Sequence, residues 1–305
     1  MAKIIKIIND INIFDPKFER VDIFLTNQLK EHSRSYLKKI IEEGNLTVNG
    51  KIVIKSSYCL KLNDELVLNL PPVEQYDLSP HKVDFEIIDV QEDFIVINKP
   101  AGLIVHPADN CKDKLTLVHG LLYYFKELLE FDEAQRPGIV HRIDKDTSGL
   151  MIVARNLIGQ AKLVKLFKDR LIKKTYLAVA LGHPDKSGKI DFSIGRNPVH
   201  PTQMSHRGIN SREALTYYQV IKYFKESSLV EVRIITGRTH QIRVHFAAIG
   251  HGLIGDKTYG CSSKFIGRQA LHSWKIEFSL DGVDYQYEAP IADDILNLIS
   301  KLENK

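Results

Sequence analysis

The sequence predicts an α+β protein made of two units of unequal size. Three observations support this: a helix-helix-hairpin pattern near the N-terminus, the pair Pro71-Pro72, and a longer region in which short apolar strands alternate with helices. Proline blocks sheet pairing, and the polar residues after Pro71-Pro72 offer little apolar surface to bury. The expected domains are residues 18–75 and 85–305, joined by a linker at 76–84.

The N-terminal unit has the pattern of two helices, a hairpin and a strand. Apolar residues recur at three- and four-residue steps from Arg20, and Ser33 can cap a second helix over residues 34–43. The dipeptide Asn49-Gly50 favours a tight turn between two short strands. A further strand is expected at residues 65–70, while the first sixteen residues receive no function.

The larger unit is expected to contain seven strands and four helices. The predicted strands lie at residues 85–90, 94–97, 139–143, 174–181, 229–237, 271–278 and 285–290. The predicted helices lie at residues 116–131, 155–174, 239–249 and 292–302.

A stretch near the middle of the chain places opposite charges side by side. If Ile139 to Ile143 form a short strand, Arg142 and Asp144 project to the same side, because side chains alternate along a strand. A turn-forming sequence and another apolar run follow Asp144. On spacing alone, an ion pair at a protein surface explains the pattern as well as a reactive site does.

Two further segments carry cations next to apolar residues. Residues 155–174 hold seven Lys or Arg and one Asp around apolar positions at helical spacing, which fits a solvated helix face or a face that contacts phosphates. Thr239 can cap a later helix in which Arg243 lies beside the apolar stripe, so Arg243 needs an acidic partner. His240 and His245 lie about 140° apart on that helix and do not form a zinc pair. We expect them to be capping or core histidines.

Composition excludes several classes of protein. No apolar stretch approaches the roughly 20 residues that span a bilayer, and the first residues lack the features of a secretory signal, so a cytoplasmic protein without membrane contact is expected. The three cysteines are far apart and suggest neither disulfides nor a zinc site. The net charge of +4 is weak evidence for nucleic acid. The sequence does not address dimerisation, and a monomer is the default.

The charged stretch has a known counterpart. His141-Arg142-Ile143-Asp144 and its Thr-Ser-Gly turn resemble the catalytic motif of pseudouridine synthases of the RluA type, with isoleucine in place of the usual leucine. Tyr176 matches the tyrosine of the second family motif, and Gln241-Ile-Arg243 matches the third. The resemblance runs from about Arg20 to Pro290 and is closest to the RluD-like branch, which modifies large-subunit ribosomal RNA.

The resemblance implies a mixed, mainly antiparallel sheet with a central cleft. It also implies that the protein isomerises uridine to pseudouridine in RNA, with large-subunit ribosomal RNA as the expected substrate and no metal or organic cofactor. The implied catalytic residues are Asp144, Arg243 and Tyr176. The implied substrate-binding residues are Arg142, His141, Thr147 and Arg238.

The N-terminal unit resembles the small RNA-binding domain named after ribosomal protein S4. That resemblance covers residues 20–70, and a dimerisation or packing domain remains the alternative. The implied phosphate-facing residues are Arg20, Arg34, Lys38, Lys39 and Lys51.

Three alternative functions stay open at this point. Asp144-x-Asp146 after a strand resembles the start of haloacid-dehalogenase-type phosphatases, although His141 and Arg142 interrupt the apolar strand that this fold requires. A magnesium requirement would mark that class. The chain could also be a non-catalytic RNA-binding protein or ribosome assembly factor, or a synthase of the same family that acts on transfer RNA or another RNA. The sequence does not identify the uridine or the intermediate.

Overall fold

The computed structural model describes residues 3–8, 20–32, 34–71, 77–107, 114–131, 136–200 and 202–304. The chain divides into two compact units, residues 1–75 and residues 76–305. In the described ranges, no helix has the length and apolar content to cross a membrane. The predicted helix cap Ser33 lies outside the described residues.

The N-terminal unit packs two helices on a four-stranded antiparallel sheet. Its elements are β1 (Lys3–Ile8), α1 (Val21–Gln28), α2 (Arg34–Glu42), β2 (Leu46–Val48), β3 (Lys51–Ile52) and β4 (Glu65–Leu70). The strand order is β1-β4-β2-β3, and the apolar helix faces are buried around Phe24, Leu37 and Ile40. The sequence did not predict β1, because its only strand partner, β4, lies more than fifty residues away in the chain.

The predicted turn at Asn49-Gly50 is present and has a structural cause. Both residues have positive φ, 50° and 75°, as the tight hairpin turns that match strand twist require. The Asn49 side chain accepts a hydrogen bond from the backbone N–H of Glu65 at 2.9 Å and donates one to Asp64 at 2.8 Å. The hairpin is thereby fixed to the start of β4.

The second unit contains twelve described strands and four described helices. The strands are β5 (Glu86–Val90), β6 (Phe94–Lys99), β7 (Ser148–Ala154), β8 (Lys173–Leu181), β9 (Ser187–Ile190), β10 (Ile194–Arg196), β11 (Met204–Ser205), β12 (Ile209–Arg212), β13 (Thr216–Tyr223), β14 (Ser227–Ile234), β15 (Leu271–Leu280) and β16 (Val283–Glu288). The helices are α3 (Leu117–Tyr124), α4 (Leu157–Lys168), α5 (Gln241–Ala248) and α6 (Asp293–Glu303).

Nine of these strands form one sheet with two halves. The order is β5-β6-β7-β15-β8-β14-β13-β9, with β16 also paired to β15, and all pairings except β7 with β15 are antiparallel. Strands β7 and β15 pair only at Ser148 and Gly149, which lie opposite His272 and Ser273. The mixed, mainly antiparallel α+β fold expected from the sequence is therefore confirmed.

Glycine is required where the two halves meet. Gly149 has φ +109°, and a Cβ atom there would lie 2.2 Å from the carbonyl oxygen of Ser273. No other residue type allows this approach of the two backbones. The turn that carries Asp144 immediately precedes this contact, so its position is fixed by the join between the sheet halves.

Two predicted elements of this unit are wrong in detail. The single helix expected over 116–131 is divided into α3 and a 3-10 segment, Lys126–Glu130, because Phe125 leaves helical geometry and packs into the core. The strand expected at 139–143 is reduced to one bridge between Ile139 and Val153. The ladder does not continue because the backbone N–H of Ile152 donates to the His141 ring instead.

The segment after the proline pair is bonded to the larger unit. The N–H of His81 donates to the carbonyl of His119, and a ring nitrogen of His119 lies 2.8 Å from the carbonyl of Asp77. Leu78 also packs against the main core. The polar composition of this segment suggested a linker, but composition does not show hydrogen bonds made by the backbone.

Candidate active site

The structure brings Asp144 and Arg243 together from distant parts of the chain. Arg243 lies on α5, and its Nη1 donates to Oδ2 of Asp144 at 3.0 Å. The Asp144 side chain keeps 18% exposure while that of Arg243 keeps 8%. The carboxylate therefore faces open space, and the guanidinium beneath it is buried.

A second carboxylate fixes the orientation of Arg243. Nε and Nη2 of Arg243 donate to the two oxygens of Asp256 at 2.7 and 2.9 Å, which is the bidentate geometry of a strong ion pair. Asp256 also accepts from the backbone N–H groups of Thr258 and Tyr259. Burial opposes ionisation of both partners, yet their contact lowers the pKa of Asp256 and raises that of Arg243.

Sequence reasoning missed Asp256. It indicated that Arg243 needs an acidic partner, and the family resemblance placed Asp144 and Arg243 in one catalytic set, but neither named Asp256. The missed signal was an acidic residue in the glycine-rich segment 252–260. A guanidinium has two edges for hydrogen bonds, and one carboxylate cannot satisfy both.

His240 and Tyr259 complete the floor of the site. His240 has φ 58° and precedes α5, so it occupies the capping position that the sequence had assigned to Thr239. Its Nδ1 lies 2.8 Å from the Tyr259 hydroxyl, which accepts from the N–H of Met204. The other ring nitrogen, Nε2, lies 4.0 Å from Oδ2 of Asp144.

The helix start is held by a different residue from the one expected. The side-chain oxygen of Gln241 accepts from the N–H of Arg238 at 3.0 Å and from the hydroxyl of Thr236 at 2.7 Å. His245 is a core residue, as expected: its ring nitrogens lie 2.9 Å from the Thr216 hydroxyl and the carbonyl of Phe192. Both contacts place α5 against the sheet.

Asp144 opens into a cavity of about 460 Å³ with a strong excess of positive charge. Asp144 is the one carboxylate among the described lining residues. The lining cations are Arg142, Lys168, Arg170, Lys174, Arg238 and Arg243. A cavity of this composition favours a polyanionic ligand.

Tyr176 lies in the wall of the same cavity. The side chain is buried on β8, and burial raises the pKa of its hydroxyl. Tyr176 therefore stays protonated at neutral pH, so it can donate a hydrogen bond but is a poor base. Asp144, Arg243 and Tyr176, named separately from three motifs, meet at one cavity.

Comparison with known families agrees with this geometry. The family model described as RNA pseudouridylate synthase matches residues 93–248, half of the chain, and the S4 domain model matches residues 19–66. The chain belongs to the RNA pseudouridylate synthase family. The synthase is thus an RNA-modifying isomerase with an S4 domain, and the resemblance seen in the sequence is confirmed.

Individual relatives extend over most of the synthase. It is 42% identical to an RNA pseudouridine synthase of Aquifex aeolicus (strain VF5), over 83% of this chain and 80% of that protein. It is 35% identical to ribosomal large subunit pseudouridine synthase D of Escherichia coli (strain K12), over 92% and 90%. The solved structure of human RNA pseudouridylate synthase domain containing 1 is 27% identical, with a TM-score of 0.56 over 73% of this chain and 96% of that one.

The turn that carries Asp144 is held by two buried cations of the synthase. Lys99 is fully buried, and its Nζ donates to the carbonyls of Pro100, Leu103 and Lys145 at 2.7 to 2.9 Å. Arg268 donates to the carbonyl of Asp146 and forms a bidentate pair with Asp294 on α6. Arg268 was not singled out from the sequence, because its partners Asp294 and Asp146 lie 26 and 122 residues away in the chain.

The four residues predicted to bind substrate differ in how far their side chains are already occupied by contacts within the protein. Arg142 is exposed and has no hydrogen bond or ion pair with any described residue. Arg238 is partly anchored, because its Nε donates to the carbonyl of Glu213 at 3.0 Å. Thr147 is buried and contacts Gln269, and His141 accepts from the N–H of Ile152. Thr147 and His141 therefore have structural contacts inside the protein.

The basic helix predicted over 155–174 is α4 with its flanks. Arg155 pairs with Glu127, and Lys162 pairs with Asp93 and Asp281, so these cations connect α4 to neighbouring elements. Lys168, Arg170 and Lys174, nearer the C-terminal end of the stretch, line the cavity instead. The predicted helix is too long, because α4 ends at Lys168 and the last two cations of the stretch belong to β8.

The structure of His141 predicts a pH dependence of stability. Burial lowers the pKa of His141 to about 3, below the value of about 6.5 expected in the unfolded chain. The unfolded state then binds an extra proton below pH 6.5, so stability is present above that pH and is lost as the pH falls towards 3. His141→Gln keeps an acceptor for Ile152 but does not titrate.

Between pH 7 and pH 5, the wild type should therefore lose about 2 kcal/mol more unfolding free energy than His141→Gln does. Urea titrations at the two pH values measure this difference. Equal losses would show that His141 is not held neutral by the fold.

Proposed function

We propose that the synthase isomerises uridine to pseudouridine in large-subunit ribosomal RNA, with Asp144 as the reacting group and no cofactor. The observation that carries this proposal is the carboxylate of Asp144, held by buried Arg243 at the mouth of a cationic cavity. The ribosomal substrate is supported by the relatives called ribosomal large subunit pseudouridine synthase D, which match 92% of the chain.

The reaction needs only what this site offers. The bond from uracil N1 to the sugar must break, the base must turn, and C5 must form the new bond, with no net redox change and no group transferred. A carboxylate can act as a nucleophile or as a base in such a sequence. Arg243 positions it, and the pair with Asp256 prevents the guanidinium from turning away.

The cavity fits a nucleotide that has left its stack. Turning a uridine out of structured RNA costs a few kcal/mol, less in a loop than in a duplex. We assign Arg142, which is exposed beside the cavity, to the space that the flipped nucleotide leaves. Tyr176 offers a ring surface for the base and a protonated hydroxyl.

We assign initial RNA contact to the S4 domain. Arg20 and Arg34 each donate to buried Asp22, so one edge of each guanidinium is occupied while the side chains stay 43% and 52% exposed. Lys38 and Lys39 form long pairs with glutamates one helical turn later. Pairs of this kind at the surface are weak and can exchange for phosphate contacts. Lys51 is exposed on β3.

Asp144→Asn should abolish pseudouridine formation while RNA affinity changes less than about threefold, because the amide keeps the shape of the carboxylate but not its charge. Asp146→Asn is the matched control, and it should retain activity. Because pseudouridine has the same mass as uridine, it is labelled chemically before mass spectrometric mapping in total RNA from complemented cells, which measures the activity of both variants and identifies the substrate. Filter binding measures their RNA affinity.

Turnover by Asp144→Asn would remove that residue from the chemistry. Loss of activity in Asp146→Asn would show that the reaction needs both carboxylates of the turn and would contradict the assignment to Asp144 alone. Pseudouridine that disappears only from transfer RNA would contradict the ribosomal substrate and leave the reaction class intact.

Removal of residues 1–75 should separate binding from chemistry, because the boundary between the compact units lies there. We expect affinity for a structured ribosomal RNA fragment to fall at least about tenfold, with the rate at saturating RNA within about threefold of the full chain. Filter binding and single-turnover assays measure the two quantities. Unchanged affinity would contradict the RNA-binding role of the S4 domain.

A further inference from the structure

Lys174 is a buried cation for which the protein supplies no counter-ion. The residue is 8% exposed and lines the cavity from strand β8. Among the described residues, its amine has no hydrogen bond and no ion pair. Its neighbours across the sheet are Ile234 and Ile276, which offer no side-chain acceptor.

Three of the other five cavity cations have partners among the described residues, and the two without them, Arg142 and Lys168, are exposed to solvent. Arg243 is shared between two carboxylates, and Arg170 contacts Glu213 at 3.4 Å. Arg238 donates to a backbone carbonyl. The one lining carboxylate, Asp144, is already bonded to Arg243. An anion that satisfies Lys174 therefore has to come from outside the protein.

The Lys174 amine lies beside an aromatic ring. Its Nζ lies 5.5 Å from the centroid of the Phe167 ring, which is itself partly buried against the core. A cation–π contact recovers only part of the hydration that an ammonium loses on burial. Burial accordingly lowers the pKa of Lys174 to about 8, a value that an adjoining anion would raise again.

The position of Lys174 suggests which anion it meets. Lys174 and Tyr176 are two residues apart on one strand, so their side chains leave the same face about 7 Å from each other. Tyr176 and Asp144 line the same cavity. A nucleotide whose base lies at Tyr176 has its own phosphodiester groups at about this distance.

We propose that Lys174 binds a phosphodiester group of the flipped nucleotide and so places that nucleotide against Asp144. The inference rests on the proposed function, since it takes RNA as the ligand. Its role is positioning: the amine contacts the backbone of the substrate and takes no part in the exchange of bonds at the uracil.

The test compares Lys174→Met, Lys174→Arg and the control Lys173→Met. Lys173 adjoins Lys174 but is exposed on the opposite face of β8. A large-subunit ribosomal RNA fragment is titrated at several KCl concentrations. Loss of one phosphate contact should lower the slope of log Kd against log salt by about 0.7 to 0.9 and weaken binding about tenfold in Lys174→Met. Lys174→Arg and Lys173→Met should keep the wild-type slope.

Substitution in the RNA locates the contact. Once the modified uridine is mapped, the phosphates around it are replaced singly by uncharged methylphosphonates. One replacement next to that uridine should weaken binding to the wild type about tenfold and should not weaken binding to Lys174→Met further. This series on the wild type alone keeps the test valid if Lys174→Met fails to fold.

An unchanged salt slope in folded Lys174→Met would overturn the proposal, as would the absence of any sensitive phosphate beside the modified uridine. Because these are binding measurements, they are independent of turnover. If the wild type forms pseudouridine but Lys174→Met keeps the wild-type salt slope, the role of Lys174 is rejected and the proposed function stands. If Lys174→Met shows the expected change in slope but the wild type forms no pseudouridine, the proposed function is rejected and the RNA contact of Lys174 stands.

Discussion

The site depends on one buried guanidinium shared between two carboxylates. Asp256 takes both hydrogens of one edge of Arg243, and Asp144 takes a hydrogen from the other side. Burial makes such a cation costly unless every donor is satisfied. Because the bidentate contact fixes the plane of the guanidinium, the N–H groups of Nη1 point in fixed directions, and Asp144 accepts from Nη1 at 3.0 Å. The carboxylate of Asp144 is thereby positioned from a helix about a hundred residues away in the chain.

The fold supplies the other half of that constraint. The two halves of the sheet touch through a single short parallel pairing at Gly149, directly after the turn that carries Asp144. Lys99 and Arg268 bind the backbone carbonyls of that turn, and Arg268 also holds the N-terminal turn of α6. The charge in this region is therefore structural as well as chemical. Lys99 and Arg268 hold the turn on one side, and Asp144 lines the cavity on the other.

Local features of the sequence were sufficient to predict some of this arrangement. Asn49-Gly50 specifies a hairpin by itself, and the position of Arg243 beside an apolar stripe indicates burial and hence an acidic partner. Non-local features were not accessible. Strand β1, the contact of Asp256 with Arg243 and the isolation of Lys174 depend on pairings between distant segments. A residue pattern with helical or strand period contains no information about them.

The most direct measurement of the central claim is the single-turnover rate of Asp256→Asn, a variant that keeps the volume of a side chain outside the cavity lining and removes its charge. If Asp256 orients Arg243 and through it Asp144, the rate of pseudouridine formation should fall about tenfold to a hundredfold, with RNA affinity within about threefold of the wild type. The assay temperature is chosen where circular dichroism shows the variant folded. A wild-type rate in the folded variant would contradict the account.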